Sequence, residues 1–119
     1  MLNLKKWMAK VSERLRNSYM LYGGENMVVI PNNSDIDSYT DEGLYCVPSS
    51  SAAQSMSHYP TTAGGRIEVF NILRYSGTTA ASKRLYQRLY TSGANCDVYY
   101  RFWNGSSWSE WRKVTMTNA

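Results

Sequence analysis

One stretch limits the possible folds more than any other: Val98-Tyr-Tyr-Arg-Phe-Trp-Asn-Gly-Ser-Ser-Trp-Ser-Glu-Trp-Arg-Lys-Val114. Two arms rich in aromatic residues flank Asn104-Gly105, the dipeptide that most favours a tight reversal between strands. Trp103, Trp108 and Trp111 fall within nine positions of one another. Strand alternation sends Val98, Tyr100 and Phe102 to one face and Tyr99, Arg101 and Trp103 to the other, so both faces carry large rings. Neither face is suited to water alone. Such a strand sits inside a sandwich or oligomer, or displays its rings to a ligand.

At 119 residues the chain has room for one domain with a modest core. Its formal charge of +4 is concentrated at the N-terminus, where Lys5, Lys6, Lys10, Arg14 and Arg16 meet only Glu13 within residues 1–20. The remaining eight basic residues face eight acidic ones (13 − 5 and 9 − 1), so the body is electroneutral and argues against a phosphate-tracking, nucleic-acid-binding groove. No apolar run is long enough to cross a bilayer, and lysines break the apolar content of Met1-Leu-Asn-Leu-Lys-Lys-Trp7. We therefore expect no membrane insertion, no signal peptide and synthesis in the cytoplasm. Cys46 and Cys96 lack the spacing of a zinc or redox motif and fall in expected strands, where buried thiols are favoured over a disulfide.

Leu4, Met8, Val11 and Leu15 recur at spacings of four, three and four, the seam of a coiled coil, with Trp7 widening it on one side. Two heptads make a short helix that needs a partner, either another copy or its own domain. Asn17-Ser18 and Gly23-Gly24 signal its end. Met27-Val-Val-Ile-Pro31 reads as a short strand followed by a polar linker. Leu44-Tyr-Cys-Val47 reads as a second strand, and Ser49 to Ser57 as a serine-capped helix with Ala52, Ala53 and Met56 on its apolar face, stopped by Pro60.

Arg66 to Leu73 alternates as a strand, and Tyr75 to Ser82 reads as a loop. In Arg84 to Thr91, Leu85 and Leu89 face inward while Tyr86, Arg88 and Tyr90 face outward. The expected fold class is α+β: an N-terminal amphipathic helix (1–22), a short strand and linker (23–36), and an antiparallel meander with one short helix (37–119).

Over Asp37 to Val114 an ordered set of motifs appears: Tyr39-Thr-x-x-Gly43-x-Tyr45-x-Val47, an alanine-containing helix ending at Tyr59-Pro60, Gly65-Arg-Ile-x-Val69, a Gln87-containing strand, Tyr100-Arg101, and Trp108-Ser-x-Trp111-x-Lys113-Val114. In order and spacing this set resembles the pyocin-knob modules of R-type pyocin fibres and phage tail fibres. The opening Leu2-Asn-Leu-Lys-Lys-Trp-Met-Ala-Lys-Val11 is similar to small tail-fibre-like proteins of phages of gut bacteria. The resemblance implies a virion component, a homotrimer built on the Leu4, Met8, Val11 and Leu15 seam, and contact with other tail proteins and bacterial surface polysaccharide. It also implies that Arg101, Trp108 and Trp111, which belong to the motif, are framework.

Catalysis finds little footing. His58 is the only histidine and has no sequence-adjacent nucleophile, and the Asp35/Asp37 and Asp41/Glu42 pairs read as turn caps. No enzyme activity, cofactor or metal is expected. Tyr86, Tyr90, Tyr99 and Trp103 are the candidate interface rings, for a sugar that stacks on them or for a neighbouring subunit. A purely structural virion part, such as a fibre connector, is the alternative.

Overall fold

Alternating apolar residues build one side of a single sheet. The computed structural model describes residues 3–11, 27–73, 79–115 and 117–118. Six strands lie in chain order: β1 (Val28–Val29), β2 (Gly43–Val47), β3 (Gly65–Asn71), β4 (Leu85–Thr91), β5 (Val98–Trp103) and β6 (Arg112–Lys113). Tyr45 lies opposite Ile67, Ile67 opposite Leu89, and Val69 opposite Gln87, so these residues share a face. They are buried there with Val47 and Leu85.

A layer of irregular chain and one helix covers that face. α2 (Ser50–Ser55) starts at Ser49, whose Oγ accepts from the Ala52 N–H at 3.1 Å, and it presents Ala52 and Ala53 to the core. Small side chains let the helix approach closely. It ends at Ser55, four residues before Tyr59, because Met56 turns to extended backbone; Pro60 is not its stop. A 3-10 turn at Ile36–Ser38 adds Ile36, and the segment after β1 adds Ile30, both fully buried. The sheet and core thus run across the expected boundary at residues 36 and 37, since Ile30 and Ile36 complete the same hydrophobic cluster as Leu85 and Leu89.

The meander departs from expectation at its two ends. β1 pairs with β2 in parallel, because residues 30 to 42 form a crossover rather than a tight turn. At the other end Asn104 Oδ1 accepts from the Ser106 and Ser107 N–H groups, each at 2.9 Å, and Gly105 takes φ 100°, closing the expected reversal. The return arm is mostly irregular and pairs regularly only at β6. Cys96 lies outside the strands in a left-handed conformation at φ 46°, is exposed, and like Cys46 is a free thiol. Ala80–Ser82 forms a 3-10 turn within the expected loop, whose residues 75–78 lie outside the described residues.

Residues 4–11 form helix α1, with Leu4, Trp7, Met8 and Val11 all exposed; Leu15 and the expected helix end lie outside the described residues. Heptad spacing is therefore present on a helix, but supercoiling is a property of partners. Within the sheet, close approach makes a sharper demand. A Cβ on Gly65 would land on the Tyr90 carbonyl oxygen across the β3–β4 ladder. Gly65→Ala is expected to lower unfolding free energy by about 2 kcal/mol or more, measured by urea denaturation. A loss below about 0.5 kcal/mol would contradict this packing.

Candidate functional site

Arg101 organises the covered side of the sheet. Its side chain is 3% exposed, and a guanidinium withdrawn this far from water needs partners for its N–H groups. Gln87, directly opposite on β4, accepts from Arg101 Nε at 2.8 Å through Oε1. Its own amide donates to the Ile36 and Tyr39 carbonyls at 3.2 and 3.0 Å, which fixes the amide orientation. Asp37 Oδ1 accepts from Arg101 Nη1 at 2.6 Å. The Trp108 and Trp111 rings each lie 4.5 Å from the guanidinium carbon, so the cation is also held by two π faces.

Both tryptophans reach Arg101 because the return arm carries an extra residue. From the Trp103–Trp108 bridge to the Tyr100–Arg112 pair, the first arm advances three residues and the return arm four. Residues three apart in a regular strand point to opposite faces; a bulge restores them to one face. Each indole then anchors to the layer above: Trp108 Nε1 donates to Asp37 O, and Trp111 Nε1 to His58 O, both at 2.9 Å. Trp103 Nε1 donates to Ala80 O at 2.8 Å.

A charge cluster sits at the rim of this layer. The Asp35–Ser57 bridge brings His58 beside the aspartates: its Nδ1 is 2.7 Å from Asp35 Oδ1 and 3.2 Å from Asp37 Oδ2. His58 stays at the surface, paired with an aspartate 23 residues away in sequence. The hydrogen bond to Asp35 raises the His58 pKa above 6.5, reinforced by the Asp37 charge, and the same bond lowers Asp35 below 3.8. Asp35, Asp37 and His58 present ligand atoms within 4.8 Å of one another, yet the Arg101 guanidinium already neutralises Asp37. Its charge opposes a metal ion there. Among the described residues no hydroxyl or thiol bonds the imidazole, so the cluster is an ion network joining the Asp35–Asp37 turn to β5.

The four candidate rings do not meet. Tyr99 and Trp103 lie on the covered face beside Arg101, half-buried, with Trp103 packed on Trp108 at 5.5 Å. Tyr86 and Tyr90 lie on the opposite face, which no described helix covers. There they join Tyr100 and Phe102 in a groove of about 500 Å³ that also includes Arg88 and Val98. Rows across the strands define its floor. Phe70, Tyr86 and Phe102 form one, Glu68, Arg88, Tyr100 and Arg112 the next, and Arg66, Tyr90 and Val98 a third. Strand alternation separated the faces correctly, but Tyr100 and Phe102 belong with the open-face rings and Tyr99 and Trp103 do not.

Two measurements check this geometry. Arg101→Met strands the Gln87 and Asp37 acceptors, so it is expected to cost about 3–5 kcal/mol in urea denaturation, with Arg101→Lys recovering little of it. The linked titrations set a pH window. A raised His58 pKa stabilises fully below about 6.5 and is lost as pH rises through the folded value; a lowered Asp35 pKa stabilises fully above about 3.8 and is lost as pH falls. Thermal midpoints are therefore expected to be highest between about pH 4 and 6.5. His58→Asn, which tolerates the left-handed backbone at φ 57°, should flatten the alkaline limb. An unchanged limb would contradict the ion network.

No family model matches the chain, and no curated protein matches it. Solved structures do. A C-terminal portion of the P. aeruginosa R1 pyocin fibre superposes with a TM-score of 0.60 and 24% identity, covering 74% of this chain and 21% of that one. An N-truncated R2-type pyocin tail fibre gives 0.63 and 19%, covering 78% and 34%. A C-terminal portion of the P. aeruginosa R2 pyocin fibre gives 0.54 and 17%, covering 77% and 24%. This chain matches at most 34% of the length of any of these fibre structures. The six-stranded sheet, with its α2 layer, has the fold of a module found in R-type pyocin tail fibres.

Proposed function

We propose that this chain is a non-enzymatic tail-fibre component of a phage or phage-like particle, and that its module helps attach the particle to bacterial surface glycans. The observation that carries this reading is the uncovered aromatic face. Antiparallel sheets that leave one face to water place polar residues on it. Here Tyr86, Tyr90, Tyr100 and Phe102 occupy that face, with Phe102 43% exposed. Aromatic rings stack on the C–H faces of sugars while tyrosyl hydroxyls and guanidinium groups hold the sugar hydroxyls. The fold shared with pyocin fibres supports placing such a face on a virion.

The exposed α1 stripe of Leu4, Met8 and Val11 supports self-association, with three copies presenting the same weak site and gaining avidity. Leu15 extends the seam by its spacing. The alternative, a structural connector, is favoured by the apolar side chains in the groove, Val98 and Val114, which suit a neighbouring virion subunit as well as a sugar.

A glycan array probed with the intact protein separates the two. Reproducible binding that falls at least about tenfold in the Tyr86→Ala/Tyr90→Ala double variant supports attachment, while silence across bacterial surface glycans supports the connector. Trp103→Ala should act through stability. In sedimentation, the native chain is expected at trimer mass and the Leu4→Ser/Met8→Ser/Val11→Ser variant at monomer mass. A native monomer would remove the seam.

A further inference from the structure

The body is electroneutral in sum, but its open sheet face is not. Arg66, Arg88 and Arg112 point to that face against Glu68 alone, a local balance of +2 (3 − 1) from side chains of the described strands. Among the described residues none of the three arginines forms a salt bridge. Arg88 stands at the middle of the groove, between Tyr86 and Tyr90 along β4 and opposite Tyr100 on β5.

Its guanidinium is held without being used up. The guanidinium carbon lies 5.2 Å from the Tyr86 ring centroid, and Nη1 donates to the Tyr90 hydroxyl at 3.3 Å. Nε and Nη2 have no hydrogen-bond partner among the described residues. A stacked guanidinium with free N–H groups matches a carboxylate better than a neutral hydroxyl. Arg112 shares the cross-strand row, two strand spacings or roughly 10 Å away, with the Tyr100 ring between them.

We infer that the open face selects acidic surface polysaccharide, with a sugar carboxylate on Arg88 and sugar rings stacked on Tyr86, Tyr90 and Tyr100. Charge complementarity is the argument for this occupant: Arg88 among the groove's rings, with Arg66 and Arg112 on the same face and no salt bridge to any of the three among the described residues, opposes a cationic or neutral apolar partner and favours an anionic ligand with flat apolar faces. This rests on the glycan-attachment reading. It makes that reading narrower, since a neutral glycan would satisfy the rings and leave the guanidinium groups idle.

The test uses an array of uronic-acid, sialic-acid and neutral oligosaccharides, each acidic probe also printed in carboxyl-reduced form, with a single-stranded DNA 20-mer as a second polyanion. Acidic probes are expected to bind, to lose about tenfold or more on carboxyl reduction, and to lose about tenfold with Arg88→Gln. Arg88→Lys should recover only part, because an ammonium keeps the charge and loses the fork. Arg88 is exposed, and thermal midpoints of both variants should match the native chain. Equal binding of acidic and reduced probes, indifferent to Arg88→Gln, overturns the acidic preference and leaves glycan attachment standing. Binding of the DNA above every glycan overturns it in favour of a general polyanion site. No binding to any glycan overturns both.

Discussion

A buried guanidinium is the constraint on which this structure depends. Desolvating Arg101 costs several kcal/mol unless its N–H groups and charge are met at once, and no single element supplies all the partners. Gln87 comes from β4, Asp37 from the 3-10 turn, and Trp108 and Trp111 from the return arm of the last hairpin. Meeting one cation therefore locks four parts of the chain into register. The hydrophobic cluster around Ile67, Leu85 and Leu89 supplies bulk stability, but it is indifferent to how the irregular layer lies upon it. Arg101 and the indole N–H groups specify that arrangement.

The lock also explains why the two faces of one sheet differ so much. On the covered side each of the three tryptophan N–H groups is spent on a backbone carbonyl of this chain, and Arg101 Nε and Nη1 on Gln87 and Asp37, while its buried Nη2 has no hydrogen-bond partner among the described residues. On the open side Tyr86 packs against Phe70 and Tyr100 against Phe102, and Arg88 stacks on Tyr86 and donates to the Tyr90 hydroxyl. Strand parity divides the two faces: odd positions of β5 bind the fold together and even positions line the open face.

Much of this was legible in the residues. Period-two alternation located β3 and β4 and gave Leu85 and Leu89 to the core; Ser49 marked α2; Asn104-Gly105 marked the last turn. What stayed hidden was set by contacts distant in sequence. Nothing local joins His58 to Asp35, and the parallel β1 pairing depends on where Ile30 and Ile36 find a core. The bulge escaped because Trp108 and Trp111 look like opposite-face residues until one extra residue is inserted between them. The candidate interface set joins Tyr99 and Trp103 to Tyr86 and Tyr90, although alternation with Arg101 places the first two beside its buried guanidinium.

The central claim is that the Arg101 cation between two indoles joins the return arm to the sheet. A double-mutant cycle of Arg101→Met with Trp111→Phe, read by urea denaturation, measures that contact alone. A coupling of about 1 kcal/mol or more is predicted for a desolvated cation–π pair. Single-variant effects that add to within about 0.3 kcal/mol would show that the two side chains do not support one another, and would contradict it.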